Sequence, residues 1–198
     1  MDMFHGIDDM ALSSTIAAGV VFLVLAVLLY ALMIYNNLVR LRVDIDKAWA
    51  NVDVLLKQRH DEVPNLVAVV GGVKDFEKEV MVTITQARTA AQGAQTVSQK
   101  GQAEGALSSS LNHLFAVAEN YPNLKAQENF LRLQKRLSDI ETEIADRRSF
   151  YNDSVADYNK RTLEFPDSMV ASYTGFKPRE LFHAGADEKE PITPVFSP

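Results

Sequence analysis

The residues of this chain that could do metal or acid–base chemistry are its histidines and carboxylates, and their spacing favours neither use. No histidine stands in H-E-x-x-H or in another spacing that places two ligands on one helical face. Di-iron sites in helical bundles take Glu-x-x-His pairs from their long helices, and the long helical patterns here contain none. Carboxylates such as Glu141 and Glu143 are therefore interpreted as part of a solvated face. The four isolated histidines are His5, His60, His113 and His183.

Nucleophilic and nucleotide chemistry also lack their motifs. The chain contains no G-x-S-x-G, no G-x-x-x-x-G-K-[ST] and no G-x-G-x-x-G. It contains no cysteine, which excludes a thiol nucleophile, a disulfide framework and thiolate zinc sites. We therefore expect no catalytic residue, no metal site and no cofactor. An enzyme whose site has no recognisable motif stays as an alternative.

Polar side chains interrupt the longest apolar stripe of the chain, which runs from Phe130 to Phe165; they are Arg147, Arg148, Asn152 and Asn159. A buried guanidinium must be paired, and an inward-facing asparagine needs hydrogen-bond partners. Such groups either fix the register between helices, which we favour, or form a polar groove for a partner. Trp49 lies about 21 Å of helix beyond Tyr35, too far for an interfacial aromatic belt, and is expected to pack in a bundle. The candidate interaction or register residues are Trp49, Arg147, Arg148, Tyr151, Asn152, Tyr158 and Asn159.

The first element that positions these residues is an apolar run of 25 residues, Ala11 to Tyr35, without Asp, Glu, Lys, Arg or His. As a helix it reaches roughly 37 Å, enough to cross a hydrocarbon core of about 30 Å. It predicts a transmembrane helix over residues 11–35, preceded by a short extracytoplasmic tip, residues 1–10. A signal peptide is the alternative, but the acidic start and the length of the run argue against it.

Charge predicts the orientation and restricts the partners. Arg40, Arg42 and Lys47 follow the run, whereas the tip carries three aspartates and no lysine or arginine. The positive flank is expected inside, with the N-terminus outside and the rest of the chain in the cytoplasm. The net charge of −6 argues against a nucleic acid partner, because no basic stripe is available to contact phosphates.

Beyond the run, apolar residues recur at spacings of three and four, which predicts helices over residues 36–182. One helix is expected to leave the bilayer and continue to Val63, where Pro64 breaks or kinks it. Residues 65–91 resume a helical pattern that contains Gly71-Gly72, a pair we attribute to close packing in preference to a hinge. Residues 92–110, rich in Gly, Ser, Gln and Ala, are expected to form a mobile connection that is partly helical near its end.

A short helix is predicted over residues 111–120, followed by a break at Tyr121-Pro122. Five heptads between Phe130 and Phe165 then predict a helix of about 40 residues, which Pro166 ends. Residues 183–198 are expected to form a flexible tail. The predicted fold is all-α, with a single N-terminal transmembrane helix that continues into an antiparallel bundle of three to four long helices.

Several motifs along this pattern also carry a family likeness. They are Tyr35-Asn36-Asn37-Leu38, Ala48-Trp49, Leu56-Lys57-Gln58-Arg59, Val63-Pro64-Asn65-Leu66, Ala116-Val117-Ala118-Glu119-Asn120-Tyr121-Pro122-Asn123-Leu124, Tyr151-Asn152, Tyr158-Asn159 and Gly175-Phe176. Together they resemble the LemA family from Tyr35 to about Phe182. The departures are local: Gly71-Gly72-Val73 stands where a lysine-glycine-aromatic run is usual.

The resemblance implies a single-pass bacterial membrane protein with a cytoplasmic helical bundle, residues 36–182, and it supplies no catalytic residues. It associates such proteins with membrane zinc metalloproteases and envelope quality control, and one branch with magnetosome formation. We therefore expect a scaffold or adaptor in the bacterial inner membrane, with a self-assembling membrane-shaping or organelle-forming protein as the alternative. The expected partners are the lipid bilayer, other copies of the chain, and a membrane metalloprotease or another membrane protein. Ala17-Ala18-Gly19 suits close contact between helices, or equally lipid-facing packing.

Overall fold

The computed structural model describes the backbone of residues 2–183 and the side chains of residues 14–183. Over these residues the secondary structure consists of helices, turns and short connections, without a strand, so the predicted all-α class is confirmed. The tip predicted for residues 1–10, and the predicted tail beyond His183, fall outside the residues whose side chains are described. The helices are α1 Asp2–Gly71, α2 Lys78–Gly93, α3 Val97–Ala118, α4 Pro122–Lys125, α5 Glu128–Leu163 and α6 Asp167–Thr174.

The helices divide into two compact units. Unit 1 contains the chain up to Val43 together with Tyr158–Pro178, and unit 2 contains Asp44–Asp157 and the residues from Arg179 onward. The core of unit 2 is a layer of aliphatic and aromatic side chains contributed by α1, α2, α3, α4 and α5. Its fully buried members include Val63, Leu66, Val70, Ile84, Leu107, Leu111, Leu114, Leu124, Phe130 and Leu137.

Unit 1 is built where α6 packs on α1. Ala171 of α6 is buried against Ile34 and Leu38 of α1, and the rings of Tyr35 and Phe176 lie 5.7 Å apart. α6 ends at Thr174 and is capped by Gly175, whose φ of +80° is a left-handed conformation that glycine adopts without strain.

The apolar stretch of α1 is unpacked over its described residues. Every side chain from residue 14 to residue 30 is exposed, among them Val20, Phe22 and Leu29. In the described part of the chain, α1 alone is long and apolar enough to cross a membrane, with a mean hydropathy of 2.8 over its apolar window. This agrees with the predicted membrane helix in length and composition.

A break or a kink was expected at Pro64, and the break is wrong, because α1 continues through this residue to Gly71. Proline has no N–H, so the carbonyl of His60, four residues earlier, loses its helical donor. Arg88 of α2 supplies the missing donor, with Nε 2.7 Å from His60 O. A side chain from a neighbouring helix therefore satisfies the carbonyl that the proline leaves unpaired.

The helical pattern expected over residues 65–91 is interrupted. Gly71 is the last residue of α1, Gly72 lies in the turn that follows, and α2 begins only at Lys78. The glycine pair thus ends a helix and does not serve close packing inside one, in keeping with the high cost of glycine within helices.

The mobile connection expected over residues 92–110 is also wrong, because α3 begins at Val97. Thr96 caps it: Thr96 Oγ1 accepts from Gln99 N at 3.1 Å, and Gln99 Oε1 accepts from Thr96 N at 3.3 Å. This reciprocal capping box satisfies two donors that the start of a helix leaves unpaired. Only residues 94–96 connect α2 to α3.

The second-longest helix, α5, agrees with its prediction. α5 runs for 36 residues, Glu128–Leu163, and ends before Pro166. Its buried positions follow the apolar stripe through Leu137, Ile144, Tyr151 and Val155. The break at Tyr121-Pro122 is likewise confirmed, since α3 ends at Ala118 and Pro122 opens α4.

Candidate functional site

A buried ion cluster joins three helices of unit 2. Arg59 of α1 is 1% exposed and donates from Nη2 to Glu104 Oε2 of α3 and from Nη1 to Glu141 Oε1 of α5. Arg59 Nη1 also donates to Ser108 Oγ at 2.7 Å, and that hydroxyl lies 3.1 Å from Glu141 Oε2. A planar guanidinium can bind two carboxylates at once, so Arg59 holds α3 and α5 against α1.

The charge of Glu104 is stabilised from two sides. Its carboxylate is 3% exposed, and Glu104 Oε1 lies 2.8 Å from His60 Nε2. Burial acts to raise the pKa of Glu104, but the close contact with the His60 imidazole and the positive charge of Arg59 together outweigh it. The pKa of Glu104 therefore lies below its ordinary value of 4.5, and the group is ionised at neutral pH.

The lowered pKa of Glu104 predicts an acid-sensitive bundle. Because the folded pKa lies below the ordinary 4.5, the contribution of Glu104 to stability is complete above that pH and is lost as the pH falls through the folded pKa. We expect Glu104→Gln to reduce the free energy of unfolding at neutral pH and to approach the parent protein in acid. Urea unfolding in detergent micelles at several pH values measures this difference.

Glu119→Gln is the matched control, since Glu119 is 58% exposed and pairs with Lys125 at the surface. Its difference from the parent protein is expected to stay small at every pH. A Glu104→Gln difference that stays constant down to strongly acidic pH would contradict the assignment.

An open cleft of about 290 Å³ lies beside the cluster. Three of its ionisable groups, Arg59, Glu104 and Glu141, are paired with one another, and among the described residues no group of three or more His, Asp or Glu is placed to hold a metal ion. The arrangement can bind and orient helices through paired charges. The cleft is lined by Arg59, Glu104, Ser108, Glu141, Arg148 and Phe182, among others.

The extended segment of residues 179–183, here named the strap, packs on the same unit. Asn152 of α5 holds Phe182 by both backbone groups: Asn152 Nδ2 donates to Phe182 O at 3.1 Å, and Phe182 N donates to Asn152 Oδ1 at 2.8 Å. Tyr151 Oη donates to Glu180 O at 2.9 Å, and burial raises the pKa of this phenol. The side-chain amide of Asn152 thus makes the two hydrogen bonds to Phe182 that the backbone of a neighbouring β-strand would otherwise make.

The surface on which the strap packs, here called the seat of the strap, also includes the rings of Trp49 and Tyr151 and a close backbone contact between Gly101 and His183. The ring of Trp49 lies 5.7 Å from that of Phe182 and 5.3 Å from that of Tyr151, with Lys100 Nζ 5.3 Å from the Trp49 ring centroid. Gly101 of α3 faces His183 so closely that a Cβ there would stand 2.1 Å from His183 O.

The structure brings together three of the residues selected from the sequence, Trp49, Tyr151 and Asn152, at the seat of the strap. Arg148 is partly buried and lines the cleft. Tyr158, which is 1% exposed, and Asn159, whose carbonyl accepts from Thr162 Oγ1 at 2.8 Å, lie in unit 1.

The expectation of a buried guanidinium at Arg147-Arg148 needs correction, because Arg147 is exposed and Arg148 only partly buried. The fully buried guanidinium is that of Arg59. Its signal was present in the sequence, since Arg59 stands four residues from both Leu55 and Val63 on the apolar stripe of α1. The chain also contains one Glu-x-x-His, Glu180 to His183, but it lies in the strap and not on a helix.

These features define an all-α protein whose N-terminal helix has the length and apolarity of a membrane span and whose bundle encloses an ion cluster and a bound strap. The sequence model of the LemA family matches residues 48–196, well over half of the chain, so the chain belongs to the LemA family.

Three curated proteins named as magnetosome proteins are similar to this chain. MamQ 1 and MamQ 2 of Paramagnetospirillum magneticum strain AMB-1 are each 26% identical over 201 residues, which cover 88% of this chain and 73% of each relative. MamQ of Magnetospirillum gryphiswaldense is 32% identical over 96 residues, 48% of this chain and 34% of that protein.

Proposed function

We propose that this protein is a non-enzymatic scaffold or adaptor anchored in the bacterial inner membrane by α1. The observation that carries the proposal is that one uninterrupted helix contains both the exposed apolar stretch and the residue that organises the ion cluster, Arg59. The pairing of Arg59 with Glu104 and Glu141 also supports it, because these groups serve helix packing.

The partner of this adaptor is a membrane zinc metalloprotease or another protein of envelope quality control. Family membership supports this choice. The orientation follows from Arg40, Arg42 and Lys47, which hold their flank of α1 in the cytoplasm, so the N-terminus lies outside.

Protease protection tests the orientation. A reporter fused after Pro198 is expected to behave as cytoplasmic, and protease added outside spheroplasts should leave the bundle intact. A control digestion after detergent lysis should degrade it. Digestion of the bundle in intact spheroplasts would place it outside and refute a cytosolic scaffold.

Crosslinking in native membranes tests the adaptor role. A C-terminally tagged chain is expected to be recovered with a membrane protein partner or with further copies of itself. Recovery as a monomer alone would refute the proposal. Stoichiometric metal or hydrolase activity in the purified protein would refute its non-enzymatic part.

A second candidate function, assembly of the chain into a membrane-shaping or organelle-forming layer, is favoured by the similarity to three magnetosome proteins. It differs from the adaptor role because it requires large oligomers. Electron microscopy of membranes from overexpressing cells is expected to show arrays, rings or deformed bilayer in this case. Flat membranes with dispersed protein would favour the adaptor.

A further inference from the structure

The outer surface of unit 1 exposes an unusual density of large apolar side chains. Single exposed apolar residues are ordinary in soluble proteins, whereas a concentration of them in one short segment is not. Here four stand within 11 residues at the end of α5 and along α6. They are Leu163 (69% exposed), Phe165 (79%), Met169 (65%) and Tyr173 (94%). We name this group the apolar corner.

Two faces of α6 have different surroundings. Val170 and Ala171 pack against α1, and Ala171 is 1% exposed. Met169 and Tyr173 stand four residues apart, so both lie on the same side of the helix, turned away from Ala171. The helix therefore has one face packed on α1 and one apolar face that none of the described residues covers.

The apolar corner lies beside the end of the apolar run of α1. Ala171 contacts Ile34 and Leu38, and Phe176 contacts Tyr35, which is the last residue of that run. Met169 and Tyr173 lie two residues on either side of Ala171, about 3 Å along the axis of α6. If α1 spans the bilayer, these side chains stand at the depth of the headgroups.

The charge around the apolar corner is opposite to that of the whole chain. In the part of unit 1 that follows the apolar run, residues 36–43 and 158–178 contain five basic residues and two acidic ones, Glu164 and Asp167, in a chain of net charge −6. The acidic residues already pair with Lys160 and Arg161 at 3.8 and 3.2 Å. An excess of three positive charges remains. The basic residues are Arg40, Arg42, Lys160, Arg161 and Lys177.

We infer that the apolar corner is a second membrane contact, which inserts Met169 and Tyr173 into the interfacial layer of the bilayer and pairs the surrounding cations with anionic headgroups. Apolar and aromatic side chains combined with basic ones are the composition that such interfacial segments share. The inference rests on the proposed membrane anchor, since α1 brings the apolar corner to the surface.

A chain without cysteine makes the test direct. Ser172 is exposed between Met169 and Tyr173, so Ser172→Cys carries a nitrobenzoxadiazole label and leaves both apolar residues in place. The labelled full chain is reconstituted in vesicles of phosphatidylcholine and phosphatidylglycerol that contain lipids spin-labelled at a shallow or a deep position. We expect a blue-shifted emission and quenching by the shallow spin label.

Two variant backgrounds decide whether the apolar corner is responsible. Met169→Ser with Tyr173→Ser is expected to abolish the shallow quenching at position 172. Leu131→Ser with Phe150→Ser, which removes two exposed apolar side chains of unit 2, is expected to keep it. Water-like emission at position 172 in the parent chain, or equal quenching in both backgrounds, would overturn the inference.

Two further arms separate the anchor and the charge from the apolar contact. A label at Leu25→Cys is expected to be quenched by the deep spin label. If the deep spin label does not quench position 25, the proposed anchor and this inference are both overturned. If it quenches position 25 while position 172 stays unquenched, the inference alone is overturned. Quenching at position 172 should fall in phosphatidylcholine alone, and equal quenching in both lipids would refute the role of anionic headgroups.

Discussion

Arg59→Met is expected to lower the free energy of unfolding by about 3–5 kcal/mol, because it leaves Glu104 charged and buried without its guanidinium. Methionine fills much of the volume of arginine, so the loss reports the charge and not a large cavity. Glu104 is 3% exposed, which keeps water from replacing the lost partner. Urea unfolding in detergent micelles, followed by circular dichroism, measures the difference.

Arg136→Met is the matched control for this substitution. Arg136 is half-exposed, with Nε 4.0 Å from Glu62, and its loss is expected to cost less than about 1 kcal/mol. Adding Glu104→Leu to Arg59→Met should recover much of the stability, because the unpaired carboxylate is removed. An Arg59→Met variant as stable as Arg136→Met would contradict the role of the cluster.

Gly101→Ala is expected to release the strap. The added Cβ would stand 2.1 Å from the carbonyl oxygen and 2.9 Å from the carbonyl carbon of His183, and neither backbone atom can rotate away. Overpacking of this kind costs about 1–3 kcal/mol. We expect faster hydrogen exchange at the Phe182 amide, whose hydrogen bond to Asn152 measures 2.8 Å.

Gly93→Ala provides the control, because a Cβ at Gly93 meets no atom within 4 Å. Its stability is expected to stay within about 1 kcal/mol of the parent protein, since alanine is at least as good a helix former. If hydrogen exchange at the Phe182 amide is unchanged in Gly101→Ala, the added methyl group does not release the strap and the prediction is wrong.

Local sequence signals predicted α5 but did not predict the start of α3. α5 was predictable because its buried positions repeat at spacings of three and four over 36 residues. α3 was not, because Gly101, Gly105 and neighbouring serines are typical of a connection. The threonine and glutamine of its capping box, Thr96 and Gln99, were the signal for its start.

The candidate site depends on pairings between distant parts of the sequence. Arg59 stands 45 residues from Glu104 and 82 from Glu141, so no spacing rule connects them. Trp49, Tyr151 and Asn152 could be selected as polar or aromatic residues on apolar stripes. Their common partner is a strap without periodicity, which a pattern analysis of helices does not detect.

The hydrogen bond from Arg88 to the carbonyl of His60 has a consequence for the order in which α1 and α2 fold. The ribosome makes α1 first, and until residue 88 has emerged the carbonyl that Pro64 leaves unpaired has only water as its partner. The last turns of α1 therefore acquire their complete set of hydrogen bonds only when α2 docks. A nascent chain stalled just before Arg88 should carry a frayed end on α1 that the finished protein lacks.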